Sequence, residues 1–355
     1  MKRRIVIGAL VLLVVAGTLT LAFQRTIGER LFAVAASQIV DGNLLDPGEG
    51  LHVGLCGPGS PLPNPARAGP CNVVIAGDQT FVIDIGEAGA RNLNLMNVDI
   101  AGIEGLLLTH FHSDHVDGIG PLALLYWTVG TSKSPLPVHG PEGVEAIVDG
   151  FNAAYATDKT YRIAHHGENI VPPSGGGLTA RPFTVADEAV VVLDRDGLRI
   201  TAFPVDHDPV APSVGYRFDY KGRSVVISGD TARSASLERA SKGADILVHD
   251  ALQPRLVGEI TRALESAGNQ NTATITRDIL DYHASPEDAA ASAQAAGVRH
   301  LVLSHLVPPI PNRFFYPAFL GDAADNFDGE ITVGEDGMLF SLPPESNAIE
   351  LSTHL

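Results

Sequence analysis

The stretch Thr109-His110-Phe111-His112-Ser113-Asp114-His115 puts three histidines and an aspartate within six residues, directly after the apolar run Leu106-Leu107-Leu108. Imidazoles and a carboxylate are the ligand types that zinc takes. Three clustered core histidines without a metal would each need a partner of their own. From the chain's own histidine and aspartate frequencies, an H-x-H-x-D-H pattern arises by chance about once in a thousand such chains. A strand leading into it delivers these side chains together at one edge. Three further ligand-type residues repeat that setting: His207 after the run 198–205, Asp230 after 225–229, and His305 after 301–304. Seven such groups suffice for two metals sharing one carboxylate.

Outward from this stretch, β-rich runs alternate with turns and helical patterns. Residues 72–76 and 80–84 flank Gly77-Asp78, and 189–193 and 198–203 flank residues 194–197. Residues 216–220 and 224–228 flank Lys221-Gly222, and 331–333 and 338–342 flank residues 334–337. Each pair reads as a hairpin. Helical patterns cover 143–156, 235–241, 255–267 and 286–296. The last opens on Ser285 as N-cap, Pro286 at the first helical position and Asp288 at the third. Hairpins with interspersed helices predict an α/β sandwich of two sheets with helices packed outside. Residues 157–185, with Pro172-Pro173 and Gly175-Gly176-Gly177, read as a long loop.

The 355 residues are 45% hydrophobic and 18% charged, which excludes a disordered chain, a coiled coil and a polytopic membrane protein. A formal net charge of -17 disfavours nucleic acid as a partner, because such a surface repels phosphate backbones at long range. Lys2-Arg3-Arg4 precedes an uncharged apolar run over 5–23, long enough to cross a bilayer. Residues 1–30 are therefore expected to be a signal anchor or a cleaved signal peptide. The basic side stays cytoplasmic, and the body, expected over 50–345, sits on the periplasmic or extracellular side. Cys56 and Cys71 suit that compartment as a disulfide, although two unpaired buried thiols fit the sequence equally.

The motif residues together resemble the metallo-β-lactamase superfamily, with its H-x-H-x-D-H, later histidine, bridging aspartate and final histidine. More narrowly, the chain resembles the branch containing ribonuclease Z and arylsulfatase-like hydrolases. The residues behind that are Gly57-Pro58-Gly59-Ser60-Pro61, Arg67-Ala68-Gly69-Pro70, Asp84-Ile85-Gly86, Gly215-Tyr216-Arg217, Ser228-Gly229-Asp230-Thr231, His249-Asp250-Ala251 and His283-Ala284-Ser285. The resemblance implies a four-layer αββα sandwich behind the N-terminal hydrophobic helix, with two zinc ions at its edge. His110, His112 and His207 would hold the first zinc, Asp114, His115 and His305 the second, and Asp230 would bridge. Asp84 matches the family's supporting aspartate. Histidine rather than glutamate at position 112 implies hydrolysis rather than di-iron redox chemistry; manganese or iron occupancy stays open.

The implied activity is hydrolysis through a metal-held hydroxide, with Asp114 orienting it and His283 donating to the oxyanion or leaving group. His249-Asp250 stands where ribonuclease Z has His-Glu, with its role open. His165-His166 read as a solvated loop pair, and His52, His139, His300 and His354 as structural. The substrate is expected to be a small ester, a phosphodiester or an aryl sulfate. The alternatives are a ribonuclease Z-type tRNA 3′-processing endoribonuclease and a metal-binding protein without catalysis. Ribonuclease Z is set second on three counts: the body is expected outside the cytoplasm, away from tRNA; the chain is strongly acidic; and only 22 residues separate His207 from Asp230, too few for that enzyme's tRNA-gripping arm.

Overall fold

β-Branched and aromatic runs dominate the body, and in the computed structural model they form two mixed sheets. The structure describes residues 2–40, 44–130 and 132–355. The chain divides into two compact units, Met1–Leu44 and Leu45–Leu355. In the first, Lys2–Ala22 and Gln24–Val40 are helices. The segment Arg4–Ala22, with mean hydropathy 2.7 and none of it buried, is long and apolar enough to cross a membrane. The side chains of Lys2 and Arg3, two of the three basic residues expected to orient it, lie outside the described ones.

In the second unit, one sheet of eight strands has the spatial order Glu350–Thr353, Met338–Leu342, Leu51–Gly57, Cys71–Ala76, Gln79–Ile83, Ile103–Leu107, Leu136–Gly140, Leu178–Pro182. The other, of seven, runs Glu330–Val333, His300–Val307, Ile246–Leu252, Arg223–Ile227, Val214–Tyr220, Leu198–Pro204, Val190–Arg195. The strands from Gln79–Ile83 to Leu178–Pro182 are mutually parallel, as are those from Arg223–Ile227 to Glu330–Val333. Parallel pairing gathers their C-terminal ends at one rim of each sheet, where open α/β sheets present their sites.

Three apolar clusters define four layers. Between the sheets, Leu51, Val53, Ile83, Leu107 and Phe340 of the first meet Ile200, Phe218, Val225, Val248 and Val302 of the second. On the first sheet's outer face Val73, Val82 and Leu106 pack on Leu93, Leu122 and Val148 of three helices. Leu247 and Leu301 on the second's outer face pack on Leu237, Ala289 and Ala293. The expected αββα sandwich is the observed one. Helix Pro286–Ala296 starts with the expected capping box, Ser285 and Asp288 each accepting a hydrogen bond from the other's backbone N–H.

Two expectations are corrected. The paired runs 331–333 and 338–342 are not a hairpin: Glu330–Val333 pairs with His300–Val307, and Met338–Leu342 pairs with Leu51–Gly57. Their turn bridges the sheets, the Gly334 N–H donating to the Leu303 carbonyl and that of Gly337 to Leu55. Nor is 157–185 a loop. Helix Val144–His166 continues through the polar stretch after Ala156, and Leu178–Pro182 is the edge strand. Lys159 supports the continuation by donating its Nζ to the Gly176 carbonyl at 2.7 Å.

Cys56 and Cys71 are disulfide-bonded, joining the end of one strand to the start of its neighbour. A bridge with sequence separation 15 stabilises chiefly by restricting the unfolded chain. Replacing both cysteines by alanine is expected to lower the unfolding free energy by about 3 kcal/mol, measured by urea titration against the oxidised protein.

Candidate metal centre

Every side chain of the centre comes from the C-terminal end of a strand or the loop just beyond it. His110 follows Ile103–Leu107, and Ser113–Val116 forms one helical turn that aims Asp114 and His115 back at the rim. His207 follows Leu198–Pro204, and Asp230 follows Arg223–Ile227. Gly229 makes the tight turn between strand and aspartate at φ +64°, and a Cβ there would lie 2.8 Å from the Val214 carbonyl. His305 does not follow a strand as expected but lies inside one, His300–Val307. Ser304 pairs with Asp250 and Leu306 with Ala251, so His305 is the extra residue of a bulge, at φ 45°. The bulge turns the imidazole out of the ladder and toward the centre.

The seven expected ligands converge. Donor atoms of His110, His112, His207 and Asp230 all lie within 4.8 Å of one another, and so do those of Asp114, His115 and His305. Asp230 joins the two sets, its Oδ2 lying 3.9 Å from His110 Nε2, 3.3 Å from His115 Nε2 and 3.2 Å from His305 Nε2. His110 Nε2 and His112 Nδ1 face each other at 3.0 Å. His207 donates Nδ1–H to the Tyr282 carbonyl at 2.9 Å and His115 donates Nδ1–H to Asp84 at 2.8 Å, which turns both Nε2 atoms toward the centre.

A divalent cation fits this arrangement on the structure's own terms. His115 Nε2, His207 Nε2, His305 Nδ1 and Asp230 Oδ1 are buried without a hydrogen-bond partner, and orphaned buried polar atoms are costly. Burial holds His110, His112 and His207 neutral, well below the usual range for His110. Burial also opposes charge on His115 and His305, but Asp230 together with Asp84 or Asp114 outweighs it and raises both. Asp230 and Asp114 are held low by the same imidazoles despite their burial. Three neutral imidazoles and a buried carboxylate pair whose charge is balanced only by protons make a set that a metal dication completes.

Around the ligands stands a second group. Asp84, at φ 55°, accepts from the Thr109 N–H at 2.8 Å, the Thr109 hydroxyl at 2.7 Å and His115. His283 donates Nδ1–H to Asp250 at 2.9 Å, and His249 donates to the other oxygen of that carboxylate at 3.0 Å. His283 also stacks on His305 and brings a nitrogen within 4.8 Å of donor atoms of Asp230 and His305. His165 and His166 sit on the last turn of helix Val144–His166, exposed and outside the donor sets. Thr109 and Tyr282, both in contact with ligands, were not among the expected site residues, since neither residue type marks a metal site in sequence.

A domain family described as "Beta-lactamase superfamily domain" matches residues 82–306. The protein named Ribonuclease Z of Mycobacterium bovis (strain BCG / Pasteur 1173P2) is 37% identical over 289 residues, covering 81% of this chain and 96% of the relative. The Ribonuclease Z of Mycobacterium avium (strain 104) is 39% identical over 288 residues, with the same coverage. Among solved structures, human tRNase Z, short form, matches with TM-score 0.58 and 21% identity over 82% of this chain and 99% of that one. The metallo-β-lactamase fold protein YhfI from Bacillus subtilis gives 0.57 at 20% identity, over 82% and 99%.

These relatives overturn two expectations: the small ester or aryl sulfate as substrate, and nucleic acid as a disfavoured partner. The short His207–Asp230 interval does not count against ribonuclease Z. An alignment of 289 residues that already takes up 81% of this chain leaves the relative no room for a long arm. Net charge fails as a criterion for a different reason. It describes the far field, which salt screens beyond about 8 Å, whereas phosphate binding at a metal centre is decided by the charges that touch it.

Asp84→Asn keeps the shape but makes the group a poorer acceptor for His115 Nδ1–H and for both Thr109 donors. Zinc affinity is expected to fall about 10- to 100-fold, measured by competition with a chromogenic chelator.

Proposed function

The chain belongs to the metallo-β-lactamase superfamily, in its ribonuclease Z branch, and from that premise we propose that it is a zinc-dependent endoribonuclease that hydrolyses RNA phosphodiesters, with the 3′ ends of precursor tRNAs as the substrate class. The observation that carries this is the 37% identity over 96% of a relative named Ribonuclease Z, combined with a complete set of seven converging ligands. The second alternative, a metal-binding protein without catalysis, has no missing ligand to support it.

We assign the residues to two zinc ions: His110, His112 and His207 would hold one, Asp114, His115 and His305 the other, and Asp230 is within reach of both sets. Bound there, zinc would supply Lewis acidity toward the phosphoryl oxygens and acidify a water. The chain's own groups do the rest. Asp114, at the N-terminal turn beside His115 and His305, accepts a proton from the attacking water. The oxygen–phosphorus bond to that water forms as the bond to the leaving oxygen breaks. His283 would act as the imidazolium: Asp250 keeps the Nδ1 proton and fixes which nitrogen faces the substrate, the Nε2 proton passes to the leaving oxygen, and the ring is left neutral with Nδ1–H still donated to Asp250. Burial raises the Asp250 carboxyl, but the hydrogen bonds from His249 and His283 hold it low, so it remains an acceptor. His249, whose role was open, takes the place of a brace on Asp250.

The location is a separate proposal. The Arg4–Ala22 helix would anchor the protein in a membrane, and its length and hydropathy support this.

The full-length protein loaded with zinc is expected to cut a precursor tRNA at its 3′ trailer, and chelation is expected to abolish cutting. Asp230→Ala should remove activity below detection. His283→Ala should lower kcat about 100-fold or more while bound zinc, read by metal analysis, stays near wild type. A precursor tRNA left intact by zinc-loaded protein would refute the assignment.

A further inference from the structure

The metal centre has a closed floor and an open mouth. His110, His115, His207, Asp230 and His305 are buried, whereas His112, Tyr282 and His283 are half-buried and form the rim. His112 is a ligand and His283 the proton donor, but the Tyr282 side chain has no part in either task. Its backbone carbonyl alone holds His207. The phenol ring lies 4.7 Å from the His207 ring, nearly perpendicular to it, and 4.8 Å from the His283 ring. Its hydroxyl makes no hydrogen bond among the described residues. A half-exposed aromatic ring is thus set against one ligand of the first metal set and against the group that serves the leaving oxygen.

We infer that Tyr282 is a substrate-contacting residue whose ring forms the wall on which the nucleobase next to the scissile phosphate packs. The His207 and His283 rings lie 5.3 Å apart and leave no gap between them, so a phosphate that reaches the donor sets and His283 sits over this pair, which would place its neighbouring nucleoside at the rim beside Tyr282, an apolar surface there. Aromatic rings accept any base by its π-face, so the contact selects nucleotides over phosphate esters without a base while remaining indifferent to sequence. The identity of the base rests on the ribonuclease reading; the preference for a planar group beside the phosphate does not.

The test uses zinc-loaded full-length protein and two probes that share phosphate and sugar, adenosine 5′-monophosphate and ribose 5-phosphate. Calorimetric titration is expected to show the nucleotide binding about tenfold tighter or better. In Tyr282→Ala the two affinities should come within about twofold, and in Tyr282→Phe the advantage should persist. Zinc content, measured alongside, should not move in either variant, because the His207 hydrogen bond is to backbone. Equal or undetectable binding of both probes by wild type, or a nucleotide advantage that survives Tyr282→Ala, overturns the inference. So does loss of zinc from Tyr282→Ala, which would make the ring a support for His207, and so does loss of the advantage in Tyr282→Phe, which would move the contact to the hydroxyl. A nucleotide advantage in a protein that leaves precursor tRNA intact would keep the wall and remove the ribonuclease.

Discussion

Three carboxylates, Asp84, Asp114 and Asp230, are buried where the strand ends meet, and the rest of the centre is arranged to make that burial tolerable. A buried anion without a partner costs several kcal/mol, and each of these has imidazole neighbours within 2.8 to 3.6 Å. Asp230 stands at the middle. It reaches His115 and His110 from the first sheet's side and His305 from its own. The contacts of Asp230 therefore add to the Val214 N–H to Thr109 carbonyl and Tyr216 hydroxyl to Leu108 carbonyl hydrogen bonds that join the two sheets at this rim.

Delivering these groups takes backbone conformations that sheets ordinarily avoid. Asp84 and His305 both lie at positive φ, and Gly229 turns the chain ahead of Asp230. Such conformations persist only where the surroundings over-determine them. Around Asp84 the determinants are three donated hydrogen bonds; around His305 they are the parallel ladder on either side of the bulge. Strain sits at the centre, and the apolar layers between and outside the sheets hold it in place.

Under the proposed function, substrate choice follows from chemistry close to the donor sets rather than from the protein as a whole. A strongly acidic net charge is compatible with it, because phosphate would meet the donor sets and the rim, not the mean surface. The rim carries half-buried histidines and one aromatic ring, a combination suited to a phosphate with a planar neighbour.

The sequence by itself determined whatever chemistry is local. The H-x-H-x-D-H stretch, the apolar strands ahead of His207 and Asp230, the Ser285 capping box and the apolar N-terminal helix each lie within one element, where periodicity and spacing are sufficient. Tertiary structure alone decided the partners. Residues 330–333 and 338–342 have the turn chemistry of a hairpin, yet they join opposite sheets because Gly334 and Gly337 are held by Leu303 and Leu55, far away in sequence. His305 reaches the centre only because a neighbouring strand imposes a bulge, and Tyr282 becomes part of the mouth only because His207, 75 residues earlier, donates to its carbonyl. Pairing and burial are properties of surfaces that exist only after folding, so no stretch read alone carries them.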